Sequence, residues 1–190
     1  MKIKTSILTF LLFTLLTSCS SDKLTTSKAE SLFITCQAGE NLIKTNTSSY
    51  GIIERSDSYK KRNGNFIESY KKLEKEGLYT VGELQRIKRS YIMKDRYEVN
   101  LTPKAKEFLI SSKKGFRGEI SGKFRICEYT FGSIEEIHEI PEKNIADVRV
   151  KFVRINETPF FREAHEKLNP KEVFKQVKYK KTNDGWKLCN

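Results

Sequence analysis

The sequence predicts an α+β protein with an N-terminal helical lobe that carries a short β-wing, followed by a C-terminal antiparallel sheet with one short helix. Two observations lead to this class. Apolar residues recur at helical spacing through much of the first half, and they alternate with polar residues after residue 113. The length of 190 residues suits one domain or two small lobes with a common core. We therefore assign residues 28–112 to the helical lobe and 113–190 to the sheet lobe.

Residues 1–18 have the layout of a secretory signal peptide. Lys2 and Lys4 precede an apolar stretch, "SILTFLLFTLL", which ends at Leu16. This stretch is shorter than the roughly 20 residues that a membrane-spanning helix needs. The polar residues 19–27 then predict a flexible tether between the signal peptide and the folded part.

The end of this segment, Leu16-Thr17-Ser18-Cys19, resembles the lipobox of bacterial lipoproteins. In that family the cysteine sulfur carries a diacylglycerol group and the signal peptide is cut just before the cysteine. The resemblance implies a mature protein that begins at Cys19 and is held in a membrane of the cell envelope, because two or three acyl chains anchor stably. Ser20 is similar to the residue that directs Gram-negative lipoproteins to the outer membrane, which favours that membrane in such a bacterium.

The helical lobe is predicted to open with a helix. Ser27 and Glu30 fit a capping box, and the apolar residues that follow share one face up to about Gly39. The polar segment "KTNTSSYG", residues 44–51, is predicted to be a loop. A second helix is predicted from Asn65 to Gly77, where a glycine ends the helical spacing.

Two short strands around Lys94-Asp95 are predicted next, followed by a helix that starts at Thr102-Pro103. This order of helix, strand pair and helix is similar to the winged-helix fold over residues 63–110. Winged helices often bind DNA, and five basic residues lie near the predicted wing: Arg86, Lys88, Arg89, Lys94 and Arg96. Because the signal peptide takes the protein away from the genome, we keep the shape and exclude genomic DNA as a partner.

The sheet lobe begins with the alternating segment "SGKFRICEYTF" and a turn at Gly132. The clearest strand is "DVRVKFVRI", residues 147–155. Thr158-Pro159 is predicted to start a short helix that stops before Pro170. A hairpin with the turn "TNDG" closes the chain, and its Trp186 is predicted to lie in the core.

Alternation along these strands places basic side chains opposite the apolar ones. The predicted outward set consists of Lys123, Arg125, Arg149, Lys151, Lys178, Lys180 and Lys187. One interpretation is a solvated face whose long stems shield the sheet. The other is an anion-contact surface for an acidic glycan, a lipid headgroup or an acidic protein.

Three cysteines follow Cys19, so at most one disulfide forms among them. Cys36 lies on the apolar stripe of the first helix and is predicted to be a buried thiol. Cys127 and Cys189 fall on the outer side of their predicted strands. We therefore predict a Cys127–Cys189 bridge, which an exported location permits.

Catalytic motifs do not stand out in the sequence. His138 lies among glutamates on a predicted strand, and His165 lies on a charged helix; both are interpreted as solvated. Neither GxSxG, HExxH nor a glycine-rich phosphate loop occurs. We predict a binding or interaction module of the cell envelope, not an enzyme, with no metal or cofactor. The alternative is a small hydrolase-type envelope enzyme without a recognisable motif.

Overall fold

In the computed structural model, which describes residues 23–37 and 39–188, nine strands form one antiparallel sheet. The strands are β1 Leu42–Ser56, β2 Tyr79–Val81, β3 Gln85–Arg89, β4 Ile92–Leu101, β5 Leu109–Lys114, β6 Glu119–Ile140, β7 Ile145–Ile155, β8 Glu172–Thr182 and β9 Gly185–Lys187. Their order across the sheet is β2-β4-β1-β6-β7-β8-β9; β3 also pairs with β4, and β5 with β6.

Five helices accompany the sheet in this part of the chain, and all are short. They are α1 Thr26–Gln37, α2 Asp57–Asn63, α3 Ile67–Lys75, α4 Pro103–Lys106 and α5 Glu163–Glu166. Two single 3-10 turns, Phe116–Gly118 and Pro141–Lys143, lie in the connections on either side of β6. No helix among the described residues is long and apolar enough to cross a membrane.

Aromatic contacts join the helices and loops to the strands in one continuous core. Phe33 on α1 packs against Phe131 on β6, with ring centroids 5.3 Å apart. Phe160, in the segment after β7, stacks on Phe124 with centroids 4.3 Å apart. Trp186 is only 5% exposed, which confirms its predicted core position. Such aromatic burial is a major source of stability in a small fold.

The predicted fold class is wrong, because the first half of the chain does not form a helical lobe with a wing. Residues 42–56 form a strand that lies between β4 and β6, so both halves contribute to one sheet. The boundary drawn at residues 112 and 113 falls inside β5. Only the order of the elements resembles a winged helix. Strand β4 does not form a separate wing, because it pairs with β1 as part of the large sheet.

The segment "KTNTSSYG", predicted as a loop, lies within β1. Its backbone groups pair with β6, from Leu42↔Tyr129 to Gly51↔Glu119. These backbone hydrogen bonds to β6 form irrespective of the side chains, so polar side chains do not prevent the strand from forming.

Two predicted turns do not lie where the sequence placed them. The β3–β4 turn lies at Ser90-Tyr91, and Lys94-Asp95 belong to the continuous strand β4. Gly132 does not make a turn: β6 runs through it, with a register shift against β7 between Phe131 and Ser133. A bulge accommodates a residue in this way without ending the strand.

Several elements form where they were predicted. The first helix spans Thr26–Gln37, although Thr25, not Ser27, accepts the hydrogen bond at its start. The Asn65–Gly77 helix is α3, and Thr102 caps α4 through the amide of Ala105. Strand β7 and the closing β8–β9 hairpin also form. By contrast, Thr158-Pro159 starts no helix, and α5 is a single turn.

The predicted signal peptide and most of the tether, residues 1–22, lie outside the described residues. The chain is bound to the fold from Leu24 onward, since Leu24 is 4% exposed and its amide donates to Glu139 Oε1 at 2.7 Å. Glu139 lies at the end of β6, so the N-terminus of α1 lies at that end of the sheet.

Candidate binding surface

The seven basic residues predicted as an anion-contact face are not brought together as one patch. Five of them face the same side of β7, β8 and β9, as their cross-strand partners show: Arg149, Lys151, Lys178, Lys180 and Lys187. Lys123 and Arg125 lie toward the other end of β6, opposite β1.

Acidic neighbours neutralise much of this face. Ion pairs hold Lys178 to Asp147 at 2.9 Å and Lys187 to Asp184 at 2.9 Å. Two further pairs join Lys151 to Glu135 at 3.5 Å and Arg125 to Glu128 at 2.7 Å. The open depression around Arg149 and Lys178 also holds Glu136, His138 and Asp147. Acidic side chains pair with four of the seven predicted cations, so the face is not uniformly positive, and its anion contact stays a prediction.

A different surface is formed by the tip of the β3–β4 hairpin. The turn places Ser90 in the left-handed region (φ 55°) and projects Tyr91, whose side chain is 97% exposed. Ile92 follows and is 54% exposed, and it lies opposite Arg89 in the last residue pair of the hairpin. The tip therefore presents an aromatic and an aliphatic side chain, with a guanidinium beside them.

The loop between β5 and β6 presents a second aromatic tip. Phe116 is 79% exposed, and the Arg117 guanidinium lies 4.7 Å from its ring centroid. Arg117 adopts φ 60° and ψ 30°, a conformation that most residues avoid. Two exposed lysines, Lys113 and Lys114, precede this loop.

Glu54 of β1 links the two tips. Its carboxylate accepts a hydrogen bond from Arg89 at 3.1 Å, and its other oxygen lies 4.0 Å from Arg117 Nη1. The Glu54 side chain is only 8% exposed. A cavity of about 320 Å³ lies between the hairpins, and its lining includes Glu54, Lys94, Phe116 and Arg117. The tips are therefore neighbours, although they are distant in sequence.

We call this region the two-hairpin surface. It consists of Arg89, Tyr91, Ile92, Lys94, Lys113, Lys114, Phe116 and Arg117. Five of these residues are basic, and Glu54 beneath them balances one charge, so the surface carries a net positive charge. Exposed apolar side chains amid basic ones are typical of a surface that contacts another molecule.

Ion pairs fix the base of each hairpin. Asp95, buried at the base of β3 and β4, accepts hydrogen bonds from Lys60 at 2.6 Å and Arg86 at 2.7 Å. At the start of β6, Arg55 makes a two-pronged contact with Glu119, at 2.7 and 3.0 Å. The hydrogen bonds from Arg55 hold the pKa of Glu119 below its usual value. The tips are thus exposed extensions of a braced sheet.

The cysteines do not pair as predicted. Cys127 is a free thiol in the core, so the predicted Cys127–Cys189 bridge is wrong. The register between β1 and β6 shifts between Lys44 and Thr45, and this shift turns Cys127 inward relative to Arg125. Cys36 was predicted to be a buried thiol but is disulfide-bonded. Cys19 and Cys189 lie outside the described residues.

The two histidines have separate surroundings. His138 is exposed and lies opposite Asp147 across the strands. His165 Nδ1 accepts a hydrogen bond from the Arg162 amide at 3.0 Å, and burial together with Arg162 lowers the pKa of this imidazole. Within residues 23–37 and 39–188, no group of three or more His, Cys, Asp or Glu residues is arranged to hold a metal ion.

Sequence reasoning noted the basic residues around the β3–β4 hairpin but missed the β5–β6 loop. The available signal was the pair of segments "KRSYIMK" and "KKGFRG", in which an aromatic residue in a turn is flanked by lysine and arginine. Their proximity depends on β1, which the sequence did not reveal. Comparison with protein-family models, curated proteins and solved structures finds no match.

Proposed function

We propose that this protein is a lipid-anchored binding module of the bacterial cell envelope that contacts its partner through the two-hairpin surface. The anchor rests on the lipobox resemblance at Cys19. The binding surface rests on one observation: Tyr91 and Phe116, 97% and 79% exposed, lie on neighbouring hairpins among five basic residues. Exposed aromatics of this kind are enriched where proteins bind other molecules.

The anchor is tested by replacing its nucleophile. In Cys19→Ser, a radiolabelled fatty acid should no longer be incorporated, and the signal peptide should no longer be cut before residue 19. The matched control is Cys127→Ser, which removes a cysteine that is free and buried in the core. Label that persists in Cys19→Ser would overturn the anchor.

The binding surface is tested by photo-crosslinking in living cells. A photoreactive phenylalanine analogue placed at Tyr91 or Phe116 should form a specific adduct. The control position is Leu168, which is 80% exposed but lies outside the two-hairpin surface. Adducts of equal yield at all three positions, or at Leu168 alone, would show that the two-hairpin surface is not the contact site.

A further inference from the structure

We propose that the two-hairpin surface binds the headgroup region of a lipid bilayer that contains anionic lipids. This inference rests on the proposed function, because it names the partner of the same surface. It places a second membrane contact on the protein, separate from the acyl chains at Cys19.

The order of side chains along each hairpin matches the layers of a bilayer surface. Tyr91 lies at the turn of the β3–β4 hairpin, Arg89 and Ile92 form the next pair, and Lys94 follows. Aromatic rings settle at the boundary between acyl chains and headgroups, whereas lysine and arginine pair with the phosphates above it. The exposed rings would therefore enter first and the cations would stop at headgroup depth.

The second hairpin repeats this order. Phe116 lies in the loop at the tip, and Lys114 and Lys113 on β5 lie progressively farther from the tip, toward the sheet. The guanidinium of Arg117 covers one side of the Phe116 ring. Lysine and arginine side chains near an anionic surface each add to the attraction, and the net positive charge left after Glu54 balances one of the five is sufficient for reversible binding.

The shape of the surface favours a bilayer over a nucleic acid or a protein groove. Tyr91 and Phe116 project from two separate tips, and Tyr91 is almost fully exposed. A single-stranded nucleic acid binds along a groove where successive bases stack on aromatic rings. Two protruding tips with apolar ends instead resemble the way interfacial segments insert shallowly into a bilayer.

The position of the surface adds a second attachment point. Phe116 precedes the start of β6, whereas Leu24 is hydrogen-bonded to Glu139 near the other end of β6. At about 3.3 Å per residue, these ends are about 65 Å apart along the strand. The five residues from Cys19 to Leu24 reach at most about 18 Å. Because this reach is much shorter than β6, the acyl chains and the two-hairpin surface contact one bilayer only when β6 lies nearly along the membrane plane.

Vesicle sedimentation tests this proposal with the chain that begins at Ser20, which contains every described helix and strand and has no acyl chain to mask the effect. The vesicles are phosphatidylcholine, with or without phosphatidylglycerol. We expect binding only where phosphatidylglycerol is present. Tyr91→Ser and Phe116→Ser should each weaken it by about tenfold, as the loss of one inserted ring implies.

Two matched controls separate the surface from bulk properties. Leu168→Ser removes an apolar side chain as exposed as Phe116 and should leave binding unchanged. Lys113→Gln with Lys114→Gln should weaken binding about tenfold. The same two-charge change at Lys71 and Lys72, exposed on α3, should have little effect.

Several results would overturn the inference. These are equal binding to neutral vesicles, unchanged binding of both aromatic variants, or equal losses in the control variants. Dextran sulfate that binds as tightly as the vesicles, independently of Tyr91 and Phe116, would also overturn it in favour of an anionic polymer. If vesicle binding fails while Tyr91 and Phe116 still crosslink specifically in cells, the proposed function stands and only the lipid partner is wrong.

Discussion

Asp95 fixes the base of the β3–β4 hairpin at the level of a single side chain. Its carboxylate is 7% exposed and lies between Lys60 of α2 and Arg86 of β3. Burial raises the pKa of Asp95, but the hydrogen bonds from the two cations outweigh burial and leave the pKa below its usual value. The charged form therefore stabilises the fold.

Asp95→Asn should lower the free energy of unfolding by about 1–3 kcal/mol at neutral pH, because two cations lose their charged acceptor. A depressed pKa contributes stability that is complete above the pKa of the unfolded state, near 4, and is lost as the pH falls through the folded-state value. The difference between wild type and variant should thus shrink below about pH 4. Urea unfolding followed by Trp186 fluorescence measures this.

Asp184→Asn is the matched control. Asp184 also accepts from a lysine, Lys187, at 2.9 Å, but its side chain is 78% exposed. An exposed pair contributes little, since solvent screens it. A loss of stability in Asp184→Asn as large as that in Asp95→Asn would contradict the assigned role of Asp95.

The cysteines give a second prediction at this scale. Cys127 is fully buried, and burial raises the pKa of its thiol. Cys36 is disulfide-bonded and Cys127 is free, which leaves Cys19 and Cys189 as the candidate partners of Cys36. A thioether-linked Cys19 cannot form a disulfide, so the lipoprotein hypothesis requires Cys36 to pair with Cys189.

The lipidated protein should therefore show no thiol that reacts quickly when native, one after unfolding without reductant, and three after reduction. Titration with a chromogenic thiol reagent counts them. More than one thiol in the unfolded, unreduced protein would contradict the pairing of Cys36 with Cys189.

Among the elements, those that present one apolar face were predictable from the sequence. Strand β7 alternates strictly, with Val148 and Val150 both fully buried. Helix α3 buries Ile67, Tyr70 and Leu73 at helical spacing. Local periodicity alone identifies such elements, because the pattern follows from the geometry of the element itself.

Strand β1 was not predictable in this way. It is 15 residues long, but Ile53 is its single buried residue, so no alternation of buried and exposed residues marks it. Gly51, which has a positive φ, also interrupts it. Residues 42–56 form a strand because they pair with β4 and β6, and these strands are distant in sequence. The same limit hid the two-hairpin surface, since Glu54 of β1 is what brings Arg89 and Arg117 together.

Gly51 is the position in β1 most sensitive to substitution. It adopts φ +82°, and a Cβ there would collide with the carbonyl oxygen of Gly118, at the base of the β5–β6 loop. Gly51→Ala should lower the free energy of unfolding by about 3 kcal/mol, from backbone strain plus the collision. It should also weaken vesicle binding if the loop moves. Thermal unfolding measures the first effect.

Gly77→Ala serves as the control, because Gly77 has a similar φ of +75° but open space around its Cβ position. It should cost about 1 kcal/mol from strain alone. Equal losses in the two variants would mean that the close approach of Gly51 and Gly118 contributes nothing.

For the whole molecule, the interleaved sheet order predicts that the two halves cannot unfold separately. Strand β1 lies between β4 and β6, and β6 extends along β5 and β7. In urea, far-ultraviolet circular dichroism and Trp186 fluorescence should therefore give coincident single transitions. A fragment of residues 113–190, which lacks β1, should not fold. Two resolved transitions would contradict this cooperativity.

The placement of β1 also has a consequence for synthesis. A chain made from its N-terminus completes β1 long before residues 119–129, with which β1 pairs, become available. An unpaired strand edge is an aggregation hazard during that delay. Residues 44–49 are all lysine, threonine, asparagine or serine, so this part of β1 has low hydrophobicity and a low tendency to aggregate before β6 is made. The polar side chains that make β1 hard to recognise in the sequence therefore also protect the nascent chain from aggregation until β4 and β6 have been synthesised.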